Sequence, residues 1–194
     1  MFTENSPVSF KDKGWIEVIT GSMFSGKTEE LIRRLNRARI ANLKVITFKP
    51  AMDDRYAKQK VVSHDQRFME TYPVSASSEI LNLKDDADVI GIDEAQFFDD
   101  GLPDVCNALA NENIRVIVAG LDLDFKGKPF GPVPRLLAIA EYITKVHAIC
   151  IRCGDLAYLS HRKTRDEELV RVGKKETYEP LCRKCFNIVH EPKS

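Results

Sequence analysis

The sequence predicts an α/β fold: a parallel sheet flanked by helices, with a small cysteine-pinned module at its C-terminal end. Three observations carry this. Gly21-Ser22-Met23-Phe24-Ser25-Gly26-Lys27-Thr28 matches the pattern G-x-x-x-x-G-K-[ST], between a strand-like Trp15–Thr20 and a helix-spaced Glu29–Leu35. Near-continuous apolar strands alternate with helical stretches, the pattern of a sheet covered on both faces. Two C-x-x-C pairs, Cys150/Cys153 and Cys182/Cys185, stand close to the C-terminus.

The first strand, 15–20, runs into the glycine loop and then a helix reaching about Ile40. Strand, loop and helix together make a P-loop. Its glycines let backbone N–H groups close around phosphate oxygens. The helix starting after Gly26 turns its positive dipole end toward the same anion. Lys27 reaches the outer phosphates and Thr28 offers a hydroxyl to Mg²⁺. A nucleoside triphosphate is therefore expected here. The arginines that follow, at 33, 34, 37 and 39, read as a solvated helix face.

A second strand, 44–48, ends at Pro50. The polar segment from Asp53 to about Gln66 reads as a loop over the phosphates, with Asp53, Asp54 and Arg55 at its start. Arg55 can pair with a phosphate or with a neighbouring carboxylate. A short strand follows near Val74, then a helix for which Ser77 or Ser78 suits the N-cap. Strand 88–92 ends in Asp93-Glu94. Residues 103–112 read as a helix carrying Cys106 as a small core residue, and 115–120 as another buried strand. A Gly- and Pro-rich stretch, 121–132, leaves that strand's C-terminal edge, where ligands of such sheets bind. A helix over 136–142 and a strand over 143–149 lead to the first cysteine pair.

Asp93 and Glu94 give the site its chemistry. An Asp ending a hydrophobic strand is the partner a P-loop requires, holding Mg²⁺ against the β- and γ-phosphates. Glu94 is placed to accept a proton from the attacking nucleophile, whether water or a substrate hydroxyl. The four paired cysteines supply a tetrahedral thiolate set for Zn²⁺ with no open position, hence a structural metal. The stretch between the pairs, from Leu156 to Tyr178, then becomes a loop tied at both ends, with 169–173 a short strand-like piece within it. Such a loop reads as a substrate lid. Loss of the metal is expected to free this lid while sparing nucleoside triphosphate binding.

Bulk properties narrow the alternatives. The chain has 194 residues, 43% hydrophobic and 30% charged, enough for one main domain with an appendage. Lys+Arg and Asp+Glu are both 29, which argues against a nucleic-acid or membrane-surface partner. No apolar run approaches the roughly 20 residues of a membrane span, and Met1–Lys13 is polar and reads as a tail rather than a secretory signal. The expected compartment is cytoplasmic. The expected domains are a tail 1–13, a nucleotide-binding domain 14–147 and a zinc-binding domain 148–194.

These residues resemble the type II thymidine kinases, a family with a RecA-like core and a zinc-bound lasso loop. The resemblance covers about Gly14 to Cys185. It rests on Met23 to Thr28, Asp53 to Tyr56, Asp93-Glu94-Ala95-Gln96-Phe97-Phe98, Gly120-Leu121-Asp122 with Asp124-Phe125, Gly127 with Pro129 to Pro132, Tyr178-Glu179-Pro180 and both cysteine pairs. Ser22 stands where the family commonly has proline, and 160–168 matches poorly. The resemblance implies transfer of the ATP γ-phosphoryl to the 5′-hydroxyl of thymidine, with deoxyuridine a further acceptor. It implies that Gly21, Ser22, Met23, Phe24, Ser25, Gly26, Lys27, Thr28, Asp53, Asp54, Arg55, Asp93, Glu94, Ala95 and Gln96 serve ATP and Mg²⁺, and that Glu94 is the base. Met23, Leu121, Phe125, Phe130 and Tyr178 would surround the thymine, with Leu169, Val170, Arg171, Val172 and Gly173 bonding its polar edge. It further implies a homotetramer inhibited by the end product, thymidine triphosphate. Two rival readings are a P-loop ATPase in which Glu94 activates water, and a zinc-ribbon module that binds nucleic acid.

Overall fold

The first strand, β1 (Trp15–Thr20), is buried at every position, as its unbroken apolar pattern requires. The computed structural model describes residues 13–51, 71–163 and 177–190. In it β1 joins β2 (Val45–Pro50), β3 (Thr71–Val74), β4 (Val89–Ile92), β5 (Arg115–Gly120) and β6 (Tyr142–Lys145) in one sheet, ordered β3-β2-β4-β5-β1-β6. Every pairing is parallel. A parallel sheet must be covered on both faces, and it is. On one face Ile16, Val18, Ile90, Ile92, Val116 and Val118 pack with Leu102 and Leu109 of α3 (Leu102–Asn111) and Leu136 of α4 (Val133–Ile139). On the other, Ile19, Ile117 and Ala119 meet Leu31, Leu35 and Ala38 of α1 (Lys27–Ile40). The remaining core helix, α2 (Glu79–Leu83), contributes Ile80.

The helix face expected to be solvated is split. Arg33 and Arg37 are exposed, but Arg34 is buried. Its guanidinium donates to Glu17 Oε2 at 2.7 Å and to Thr144 Oγ1 at 2.8 Å. Arg115 and the Trp15 indole N–H, each 2.7 Å away, donate to the other oxygen of Glu17. One carboxylate thus sits inside the sheet–helix interface, matched by two guanidinium groups.

A second, smaller unit follows β6. β7 (Ala148–Ile149) and β8 (Leu156–Ala157) form an antiparallel hairpin, β9 (Leu159–Arg162) pairs antiparallel with β10 (Tyr178–Leu181), and α5 (Arg183–His190) is the last element among the described residues. Its core comprises Ala148, Ala157, Leu159, Leu181 and Phe186 around the cysteines. So small a core needs a staple.

Several boundaries differ from expectation. The helix expected over 136–142 runs 133–139, because Pro132 and Pro134 pre-set the helical φ of its first turn. The strand expected over 143–149 is two, since the chain leaves the sheet after the Val146 amide bonds Thr20 O. Ser78 makes no side-chain cap. Glu79 Oε1 instead accepts the Ser75 and Ala76 amides, and Ser77 Oγ donates to Asp99. Helix α5 and strands β8 to β10 had no expected counterpart. Among the described residues no helix is long and apolar enough to cross a membrane.

Candidate active site and metal centre

The P-loop leaves β1 at Gly21, whose φ of 143° and position against Val146 O leave no space for a side chain. The loop closes on itself. Ser25 Oγ donates to Ser22 O at 2.7 Å, and Lys27 Nζ to the same carbonyl at 2.8 Å. Gly26, in left-handed backbone geometry, starts α1. With no side-chain cap there, the first amides of the helix remain as anion donors. Burial pulls the Lys27 ammonium below its ordinary value, while Glu94, Asp93, Asp122 and Glu29 push the other way. Phosphate oxygens would replace these partners.

Strand β4 delivers Asp93 to the same place. Thr28 Oγ1 donates to Asp93 Oδ2 at 3.2 Å, bringing together the two residues expected to share a hard cation. Burial, then the adjacent Glu94, raises the Asp93 carboxyl to about 6. Two crowded carboxylates beside a hydroxyl form an all-oxygen donor set, which fits Mg²⁺.

Glu94 sits on strained backbone, φ 54° and ψ 40°. Holding a non-glycine residue there costs about 1–3 kcal/mol and is a common feature of functional sites. Its side chain is aimed by Gln96, whose Nε2 donates to Glu94 Oε2 at 2.5 Å while its Oε1 accepts the Leu121 amide at 2.9 Å. Gln96 is buried, and Ala95 packs in the core beside Gly120. The resemblance grouped both with the nucleotide contacts. The structure places Gln96 between the base and the loop expected to hold the acceptor. Gly120 leaves room for this arrangement, since an added Cβ would crowd Gln96 Oε1 at 3.1 Å.

That loop is rigid for a local reason. Asp124 Oδ1 accepts the amides of Lys126 and Lys128, and Leu123 bridges Pro129. Phe130 meets Phe97 edge-on at 5.6 Å. Phe125 lies under the Arg162 guanidinium, 3.9 Å from ring centre to Cζ, and Arg162 also bonds the Tyr178 hydroxyl. Two of the three aromatic residues expected around a planar base, Phe125 and Tyr178, are thus joined through an arginine that carries no sequence motif. Asp53, Asp54, Arg55 and 169–173 lie outside the described residues.

The four paired cysteines converge, with sulfur atoms within 4.8 Å of one another. The Gly154 amide bonds Cys150 O at 2.9 Å in one knuckle, and the Cys185 amide points at Cys182 Sγ in the other. Burial works against Cys150 ionising, but surrounding backbone donors bring it down to about 6, whereas burial and the other sulfurs push Cys185 up to about 12. Thiols so crowded ionise together only around a cation, and an S₄ tetrahedral set fits Zn²⁺. The N-terminus of α5 supplies further positive potential.

Two bonds tie this centre to the P-loop. Ser22 Oγ donates to Ala157 O at 3.3 Å, and the Met23 amide to Ser160 Oγ at 2.9 Å. The serine at the family's proline position has its own partner.

The family model described as thymidine kinase matches residues 14–186. A thymidine kinase of Bacteroides thetaiotaomicron is 56% identical over 186 residues, covering 96% of this chain and 94% of the relative. One of Bacteroides fragilis is 55% identical over the same shares, and one of Rhodothermus sp. is 58% identical over 89% of this chain and 81% of its own.

Proposed function

The chain belongs to the thymidine kinase family, and from that premise we propose how its residues perform the reaction. As a thymidine kinase it transfers the γ-phosphoryl of ATP to the 5′-hydroxyl of thymidine. The loop from Gly21 to Thr28 binds the phosphates through its amides and Lys27. Asp93 and Thr28 would hold the Mg²⁺ of the nucleotide, an ion that would supply charge neutralisation at the phosphates. Glu94 accepts the proton of the 5′-hydroxyl. Gln96 fixes the carboxylate while contacting Leu121, so base and acceptor pocket share one support. Met23, Leu121, Phe125, Phe130 and Tyr178 surround the thymine, completed by Leu169 to Gly173. Asp53, Asp54 and Arg55 serve the nucleotide phosphates. Protein chemistry here is positioning and charge neutralisation rather than covalent work.

The observation that carries this reading is the link from Glu94 through Gln96 to Leu121. An ATPase needs a base for water; this one is tied to a loop built for an organic acceptor. The centre at Cys150, Cys153, Cys182 and Cys185 holds structural Zn²⁺ and anchors the lid. The main domain spans 14–147 and the zinc domain 148–194, in keeping with their separate hydrophobic clusters. The enzyme is a cytoplasmic homotetramer inhibited by thymidine triphosphate, with neither nucleic acid nor membrane as partner. Incubation with ATP, Mg²⁺ and a nucleoside panel tests the assignment: thymidine monophosphate should form. Phosphorylation of a purine nucleoside in preference to thymidine would contradict it.

A further inference from the structure

Arg162 is 4% exposed, and a guanidinium so buried demands partners that justify its desolvation. Its Nε and Nη2 donate to Tyr178 Oη at 3.0 and 2.6 Å. Its plane covers the Phe125 ring at 3.9 Å and lies 5.2 Å from the centre of the Tyr178 ring. Arg162 and Tyr178 are direct cross-strand partners in the β9–β10 ladder. Phe125 comes from the other side, on the loop leaving β5. One side chain therefore joins an aromatic of the loop leaving the main sheet to an aromatic of the zinc unit.

We propose that Arg162 is a positioning residue that sets two aromatic walls of the nucleoside pocket, Phe125 and Tyr178, and so governs thymidine affinity rather than ATP affinity. This rests on the reading of Phe125 and Tyr178 as thymine contacts. Nothing requires Arg162 itself to touch the base. The guanidinium is suited to the task because its planar fork can stack on one ring and bond another's hydroxyl at once. A lysine keeps the charge but offers no plane.

Steady-state kinetics of the full chain, with thymidine and ATP varied separately, test this in Arg162→Met, Arg162→Lys, Tyr178→Phe and the double variant Arg162→Met/Tyr178→Phe. Arg162→Met should raise the thymidine KM about 10- to 100-fold, the size of losing a buried charge-assisted contact. Arg162→Lys should raise it less. The ATP KM should stay within about twofold in all, and the double variant should be no more than about twofold worse than Arg162→Met, because the two act as one unit. Zinc content and melting temperature report folding. Should Arg162→Met fail to fold, Arg162→Lys and Tyr178→Phe carry the same comparison. An unchanged thymidine KM, an equal rise in the ATP KM, or additive losses would overturn the proposal while leaving the kinase intact. A wild-type chain that phosphorylates no thymidine would overturn the functional reading and the proposal with it.

Discussion

The Met23 amide of the P-loop donates to Ser160 Oγ of β9 at 2.9 Å. The phosphate loop and the zinc unit therefore hold each other, a tie reinforced by Ser22 and Ala157. Sequence alone suggested that the metal could be lost without cost to the nucleotide site. These two bonds lead us to predict a cost instead.

Replacing Cys182 by serine should release the zinc, because a small core of this kind depends on its metal. Thymidine affinity should fall most, since Tyr178 and Arg162 both belong to the unit that loosens. ATP affinity should fall too, by about 3- to 10-fold, as two hydrogen bonds to the P-loop are lost. Metal analysis with separate titrations of each substrate checks this. ATP binding indistinguishable from wild type would show that the two bonds do not couple the sites.

The contact between Gln96 and Glu94 makes its own prediction. Gln96→Met is similar in size but can neither donate to Glu94 nor accept from Leu121. Turnover should fall about 10- to 100-fold, the scale of misplacing a catalytic group, with ATP affinity retained. A kcat close to wild type would remove Gln96 from the aiming of the base.

Glu17 predicts how stability depends on pH. Burial pushes its carboxyl up, but Arg115, Trp15 and Arg34 outweigh this and leave it net below its ordinary 4.5. A carboxylate depressed in the folded state stabilises fully above its unfolded value and loses that contribution as pH falls through the folded one. At pH 7, Glu17→Gln should cost about 3–5 kcal/mol, since two buried guanidinium groups lose their counter-charge. The gap between the urea midpoints of wild type and variant should close as pH drops below about 4.5. A gap constant down to pH 3 would show that the pairing contributes no net charge stabilisation.

The parts legible in sequence were those with local signatures. The P-loop, Asp93 at a strand end and the cysteine pairs are each set by neighbours along the chain, and β1, α1 and β5 were found for the same reason. The parts that escaped are long-range. Arg34 looks like its solvated neighbours until Glu17 is placed beneath it by the sheet. Arg162 gains meaning only when β9 pairs with β10 and Phe125 arrives from the main domain. Gln96 was noticed through its motif, but its partners on either side, Glu94 and Leu121, show what it holds. Strands β7 to β10 are too short to carry a period, and the four cysteines they gather around are brought together from far apart in the chain.

The most direct test of the central account follows the γ-phosphoryl itself. The wild-type chain and Glu94→Gln are incubated with γ-labelled ATP and Mg²⁺, with and without thymidine, and the label is divided between thymidine monophosphate and free phosphate. The account predicts that wild-type label moves to thymidine monophosphate, with little release when thymidine is absent. It also predicts that Glu94→Gln binds ATP but transfers about 10²- to 10⁴-fold more slowly, the usual worth of a general base. Label released as free phosphate at the same rate with or without thymidine, or undiminished transfer by Glu94→Gln, would contradict it.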